Sequence, residues 1–140
     1  MLVVAGYQID SDRARVDLDA LWAFLDNEAY WGRTRTRHDV VQQVATAWRL
    51  VGAYTEQGDM VGFARGIADG YDTGYLADVY VLPEHRGRGL AQALVQEMIE
   101  NGPGATFRWM LHTRDAHDLY RKFGFAEPDA RLMERPSSLT

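Results

Sequence analysis

The segment that most restricts this chain is Val79-Tyr80-Val81-Leu82-Pro83-Glu84-His85-Arg86-Gly87-Arg88-Gly89-Leu90-Ala91. A β-prone run ends at Pro83, a turn with two glycines follows, and a helical pattern opens at Leu90. Such a turn aims several backbone N–H groups at one point, at the positive end of a helix dipole. Glycine suits it because a side chain would hold a ligand away from the backbone. Arg86 and Arg88 add charge that a phosphate would use. The segment therefore reads as a phosphate or diphosphate site.

Three ligand classes use turns of this kind. A Walker loop needs Gly-Lys-Ser/Thr, which is missing here. A dinucleotide fold places its turn early in a βαβ unit and wants an acidic residue about 20 positions on. Here the turn comes late, and Arg108–Met110 holds no acid. Coenzyme A is left, with its pyrophosphate in the turn and its pantetheine arm along Tyr75–Leu82.

The rest of the chain supplies a frame. Val3–Ile9 has strand character, and Asp17 can cap a helix over about Leu18–Ala29 with Leu18, Leu21, Trp22 and Leu25 on one face. A second helix follows from about Asp39. Arg49–Thr55, Met60–Ile67 and Tyr75–Leu82 read as successive strands, the first two joined as a hairpin at Gln57-Gly58-Asp59. After the helix over about Leu90–Glu100 come a strand at Thr106–His112 and a helix capped by Thr113 or Asp115. That helix runs to about Lys122, and a last strand region begins at Gly124-Phe125, where Leu132-Met133 can pair. The order is β-α-α-β-β-β-α-β-α-β, an α/β (α+β mixed) arrangement with a mixed sheet, antiparallel first and partly parallel later.

A chain of 140 residues fits a single domain spanning 1–140. The formal charge of −5 argues against a general nucleic-acid or membrane-surface binder. The absence of cysteine excludes disulfides, a thiolate metal site and a cysteine nucleophile, and no metal is expected. The first residues do not read as a signal peptide, and no apolar run is long enough to span a membrane, so a cytoplasmic protein is the default expectation.

Arg86-Gly87-Arg88-Gly89-Leu90-Ala91 resembles the acetyl-CoA signature of the GNAT (Gcn5-related N-acetyltransferase) superfamily, Arg/Gln-x-x-Gly-x-Gly/Ala. Thirty residues on, Ala116-His117-Asp118-Leu119-Tyr120-Arg121-Lys122-Phe123-Gly124-Phe125 is similar to its second signature, Ala-x-x-Leu-Tyr-x-x-x-Gly-Phe. One departure is visible: family members often carry Asn where Thr113 stands, and a hydroxyl offers fewer hydrogen bonds than an amide. The resemblance implies a GNAT fold, with a mostly antiparallel sheet of about six or seven strands flanked by about four helices. It implies acetyl-CoA as donor, bound by Val79, Tyr80, Val81, Arg86, Gly87, Arg88, Gly89, Leu90, Ala91, Thr113 and Tyr120. It also implies a bulge that splays the strand at Val79–Val81 and frees N–H groups to hold an oxyanion. Tyr120 matches the usual general acid, which protonates the departing sulfur.

The base is sought among acids near that strand. Asp78 is the first choice, because a carboxylate amid Leu76, Ala77, Val79 and Val81 would be costly without a partner or a task. Alternation would put it on the face of Leu76 and Tyr80. Ordered water leading to Glu28, Asp69 or Asp72 is another route, and His112 is a further candidate. His85 and His117 read as exposed bystanders. By resemblance, Tyr30, Trp31, Arg33, Arg35 and Arg37 border the acceptor pocket. Arg65 is either a substrate contact or the partner of Asp78. The expected activity is acetyl transfer to a primary amine of a small molecule or peptide. The alternative is a non-catalytic acyl-CoA-binding or regulatory module. A toxin acting on charged tRNA fits the acidic balance poorly. The family allows a homodimer.

Overall fold

A computed structural model describes residues 1–27 and 34–138 of the chain. Its six strands are β1 (Leu2–Val4), β2 (Tyr7–Asp10), β3 (Arg49–Tyr54), β4 (Met60–Ala68), β5 (Thr73–Val81) and β6 (Arg108–Leu111). They form one sheet in chain order. Every neighbouring pair is antiparallel except β5 and β6, which run parallel. Among the described residues four α-helices flank the sheet: α1 (Leu18–Asn27), α2 (Arg37–Thr46), α3 (Leu90–Met98) and α4 (His117–Arg121).

The helices divide between two apolar clusters. Leu21, Phe24 and Leu25 of α1 and Val40 and Val44 of α2 pack with Leu50, Tyr54, Phe63 and Tyr80. Leu90, Leu94, Val95 and Met98 of α3 and Tyr120 of α4 pack with Val51, Ala64, Leu76 and Val81. The sheet is thus covered on both faces, α1 and α2 on one and α3 and α4 on the other. Both early helix starts are capped as their sequences allow. Asp17 Oδ1 accepts from Ala20 N at 3.0 Å. Thr36 and Asp39 form a reciprocal capping box that begins α2 at Arg37, slightly earlier than the apolar pattern alone suggests.

Three differences from the sequence reading stand out. The first strand is a hairpin, because Ala5 and Gly6 both take positive φ (50° and 85°), the geometry of a primed two-residue turn. The last strand is absent among the described residues. Pro128 lacks a backbone donor, Asp129 Oδ1 accepts from Arg131 N, and Leu132 N bonds Asp129 O, so a turn forms instead. Met133, expected to pair, is 90% exposed. The third difference is a bulge in β5. Phe63 pairs with Tyr80 but Arg65 pairs with Ala77, so β5 carries one extra residue opposite Ala64. Asp78 sits there with φ of 56°. The extra residue reverses the alternation: Leu76 belongs to the α3 side and Tyr80 to the α1 side, whereas simple alternation would put them together.

Candidate active site

The Gly-rich turn behaves as its sequence requires. Gly87 and Gly89 have φ of +78° and +79°, a region L side chains rarely adopt, and open space lies where a Cβ would project. Gly89 is the N-cap of α3, and the first helical donor is Ala93, whose N–H bonds Gly89 O at 3.1 Å. Among the described residues, the N–H groups of Gly87, Arg88, Gly89, Leu90, Ala91 and Gln92 make no hydrogen bond. Six consecutive unpaired amides at a helix N-terminus offer hydrogen-bond donors to an anion.

The two arginines are positioned by the protein itself. Arg86 Nε donates to Val81 O at 2.9 Å, tying the turn to the end of β5. Arg88 Nη1 donates to Tyr7 Oη at 2.7 Å, and Tyr7 Oη lies 2.7 Å from His85 Nδ1. Tyr7, buried on β2 in the cluster that α3 covers, therefore links the turn to β2. Nothing in the sequence signalled that role, and His85, read as a bystander, is part of the same chain of contacts.

Beside the turn the sheet splits. β6 pairs with β5 only over Thr73–Leu76, so among the described residues the edge of β5 from Ala77 onward has no strand beside it. Leu82 N–H bonds Val61 O at 2.8 Å. In an antiparallel ladder successive residues face opposite neighbours, so Val81 and Val79 turn their peptides toward the open edge, while Tyr80 faces Phe63. The N–H groups of Val79 and Val81 thus face the open edge, whereas Val81 O is taken by Arg86 Nε. Tyr80 is a correction: its peptide faces β4 and its ring stacks on Phe24 at 3.9 Å between centroids.

A cavity of 240 Å³ occupies the split, lined by Tyr75, Leu76, Ala77, Asp78, Val79, His112, Thr113, Asp115, Ala116 and Tyr120. It forms a slot beside the unpaired stretch of β5. Tyr120 is buried, and its hydroxyl makes no hydrogen bond among the described residues. Burial, and then the charge of Asp115, push its phenol up to about 12, so it stays a neutral proton donor. Thr113 Oγ1 accepts from Ala116 N at 3.0 Å. It thereby fixes the approach to α4 and keeps its own proton to donate. A larger cavity of 620 Å³ lies between β6, α4 and residues 124–132, and shares His112, Thr113 and Tyr120 with the slot.

The bulge gives Asp78 a different task from the one expected. Its Oδ1 accepts from Arg35 Nη2 at 2.9 Å, and its Oδ2 from Arg35 Nη1 at 3.0 Å and Arg65 Nε at 2.9 Å. Burial alone would raise this carboxyl, but hydrogen bonds and charge from Arg35 and Arg65 outweigh it and leave the group below its usual value. A proton on Asp78 would disrupt three charge-assisted bonds, so the geometry argues against the base assignment and makes Asp78 the tie between the bulge and the start of α2. Arg65 is accordingly the partner of Asp78 rather than a free substrate contact. Asp69 is also committed: its Oδ1 accepts from the N–H groups of Tyr71, Asp72 and Thr73, which hold its carboxyl at about 2. Tyr30, Trp31, Arg33 and Glu28 lie outside the described residues.

His112 follows β6 and lines the slot. One ring nitrogen contacts the Tyr75 hydroxyl and the other the Glu134 carboxylate. Neither Tyr75 nor Glu134 was singled out by the sequence. They stand 37 residues before and 22 residues after His112, and no local pattern links such positions.

Fold and site together define a class: α/β proteins whose sheet opens beside a Gly-rich turn at a helix N-terminus. The family model described as an acetyltransferase (GNAT) domain matches residues 46–127, from the end of α2 to beyond α4. A Gibberella zeae protein named "Putative acetyltransferase FG08082" is 36% identical over 136 residues, covering 83% of this chain and 76% of that one. A GNAT-family protein of Xanthomonas campestris pv. campestris, known from a crystal structure, is 32% identical with a TM-score of 0.86, covering 96% of each chain. The fold alone is shared with an acetyltransferase-like protein of Deinococcus radiodurans R1, 20% identical with a TM-score of 0.73, over 96% of this chain and 92% of that one. The chain belongs to the GNAT acetyltransferase family.

Proposed function

We propose that this chain is an acetyl-CoA-dependent N-acetyltransferase that passes acetyl directly from the thioester to a primary amine of a small molecule or peptide. The observation that carries this reading is the run of unbonded amides from Gly87 to Gln92, just beyond the end of the open edge of β5. The residues fit the donor. The amides, Arg86 and Arg88 suit a diphosphate, and the slot beside Val79 suits a narrow linear arm.

Acetyl-CoA supplies an activated acyl carbon and a thiolate leaving group. The protein supplies the rest. Amides of Val79 and Val81 face the open edge and can donate to a developing oxyanion. Tyr120, neutral and facing the slot, can donate a proton to departing sulfur. The Arg35–Asp78–Arg65 cluster holds the bulge that keeps the edge open.

The test is thiol release from acetyl-CoA across a panel of primary amines and short peptides, with acetylated product identified by mass. Product formation that depends on the amine supports the reading. Coenzyme A binding with no acetylated product on the panel would establish the non-catalytic binding module instead.

A further inference from the structure

The slot holds a proton donor for the leaving thiolate, but Asp78 is too tightly paired to take the proton that an ammonium acceptor must lose. The structure offers another path. We infer that Tyr75, His112 and Glu134 form a proton relay in which the Tyr75 oxygen deprotonates the acceptor amine. The inference rests on the acetyltransferase reading above.

Hydrogen-bond inventory fixes the direction of the relay. Glu134 contacts His112 Nε2. An ionised carboxylate only accepts, so Nε2 carries the hydrogen. In the neutral ring Nδ1 then holds a lone pair, so Tyr75 O–H, its partner, must be the donor in that contact. The phenol proton is thus spent on His112, which leaves the lone pairs of the Tyr75 oxygen for an incoming N–H. The rings lie 5.7 Å apart between centroids. Tyr75 and His112 line the slot that also holds Tyr120, so acid and base share one cavity.

The step balances. One N–H bond of the ammonium breaks as a bond to hydrogen forms at Tyr75 Oη. The original Oη–H bond breaks as Nδ1–H forms on His112. The nitrogen lone pair is released for attack, and the positive charge now sits on an imidazolium beside the Glu134 carboxylate. The His112 side chain is 66% exposed, so that proton can pass to water. Tyr75 acts as a conduit: burial, and then the Glu134 charge, push its phenol above the ordinary value, so it does not rest as a phenolate. The other titratable or charged groups around it are Arg65 and Asp78 from β4 and β5, Asp115 ahead of α4, and Tyr120 on α4. Arg35 and Arg65 together hold Asp78 ionised and fully bonded, so it does not compete for the proton. Tyr75 is the catalytic residue here, while His112 and Glu134 act through it.

The experiment compares wild type with Tyr75→Phe, His112→Asn and Glu134→Gln, with fold checked by circular dichroism and coenzyme A affinity by calorimetry. Acceptors span amines that are protonated at assay pH and weakly basic amines that are already neutral. For protonated amines, Tyr75→Phe and His112→Asn should lower kcat by ~10²-fold, the range of general bases, with coenzyme A affinity unchanged. Glu134→Gln should lower it less. The loss should shrink to a few-fold for the already neutral amines, and the acid limb of the kcat/KM profile should move in His112→Asn. Equal losses on both amine classes, or full activity of His112→Asn at its exposed position, would overturn the relay while leaving the acetyltransferase reading intact. Failure of the wild type to acetylate any amine would instead remove that reading, and the relay with it.

Discussion

The proposed donor and acceptor halves of the candidate site are built in opposite ways. The donor half is a short continuous stretch: β5, the Gly-rich turn and the first turn of α3 lie within about twenty residues and present mostly backbone. The acceptor half is assembled from side chains far apart in the chain. Arg35 and Asp78 are 43 residues apart, Tyr75 and His112 are 37 apart, and His112 and Glu134 are 22 apart. Backbone recognition tolerates no Cβ and no occupying hydrogen bond, so it depends on glycine and local geometry. Side-chain recognition depends on tertiary packing, and its failures should appear in stability and turnover as well as in binding.

The sharpest way to break the donor half alone is Gly89→Glu. It forces a side chain into φ of +79° and puts negative charge at the helix N-terminus. Coenzyme A affinity by calorimetry should fall by ~100-fold or more, at about 1.4 kcal/mol per decade, while the acceptor half keeps its ion pairs. Unchanged affinity would remove the turn from the site.

On the acceptor side, Asp78→Asn should cost about 3 kcal/mol in urea unfolding, because two arginines lose their buried carboxylate. The pH dependence follows from the sign of the shift. Asp78 is lowered in the folded state, so its stabilisation is present above the unfolded value of about 4 and fades as pH falls through the folded value. Wild type should lose more stability than Asp78→Asn on acidification below about pH 4. Parallel curves would show that the cluster contributes nothing.

Tyr120→Phe belongs to the meeting point of the halves. We expect kcat to fall by about 10²-fold with coenzyme A affinity nearly intact. Since burial pushes the Tyr120 phenol up to about 12, removing it should leave the pH profile below about pH 9 unchanged in shape. Full activity would discharge Tyr120 from the reaction.

The smallest effect is expected at Tyr7→Phe, which cuts the links to Arg88 and His85. Coenzyme A affinity should weaken by about fivefold, or about 1 kcal/mol, the usual net worth of one intramolecular hydrogen bond. An unchanged Kd would mean Arg88 needs no anchor.

The contrast between the halves also explains what could be read from sequence. The turn, the Leu-Tyr-x-x-x-Gly-Phe helix and the order of the central elements were legible because each depends on near neighbours. The bulge was expected, but its effect on side-chain faces was missed. Alternation was carried across Asp78, where one extra residue cancels it. Asp78 was correctly marked as a carboxylate needing a partner, yet the second of its partners sits at the start of α2, beyond the reach of any local pattern. Ala5-Gly6 hid a hairpin because Ala is an uncommon residue at positive φ. The last strand failed because Pro128 and Asp129 favour a turn over a ladder.

The most direct test follows backbone amide resonances of the labelled protein as coenzyme A is added. The account predicts saturable shifts at Gly87–Gln92 and at Val79 and Val81, with much smaller changes at Tyr80, whose peptide faces β4. Shifts confined to other parts of the sheet, with the turn silent at saturation, would contradict it.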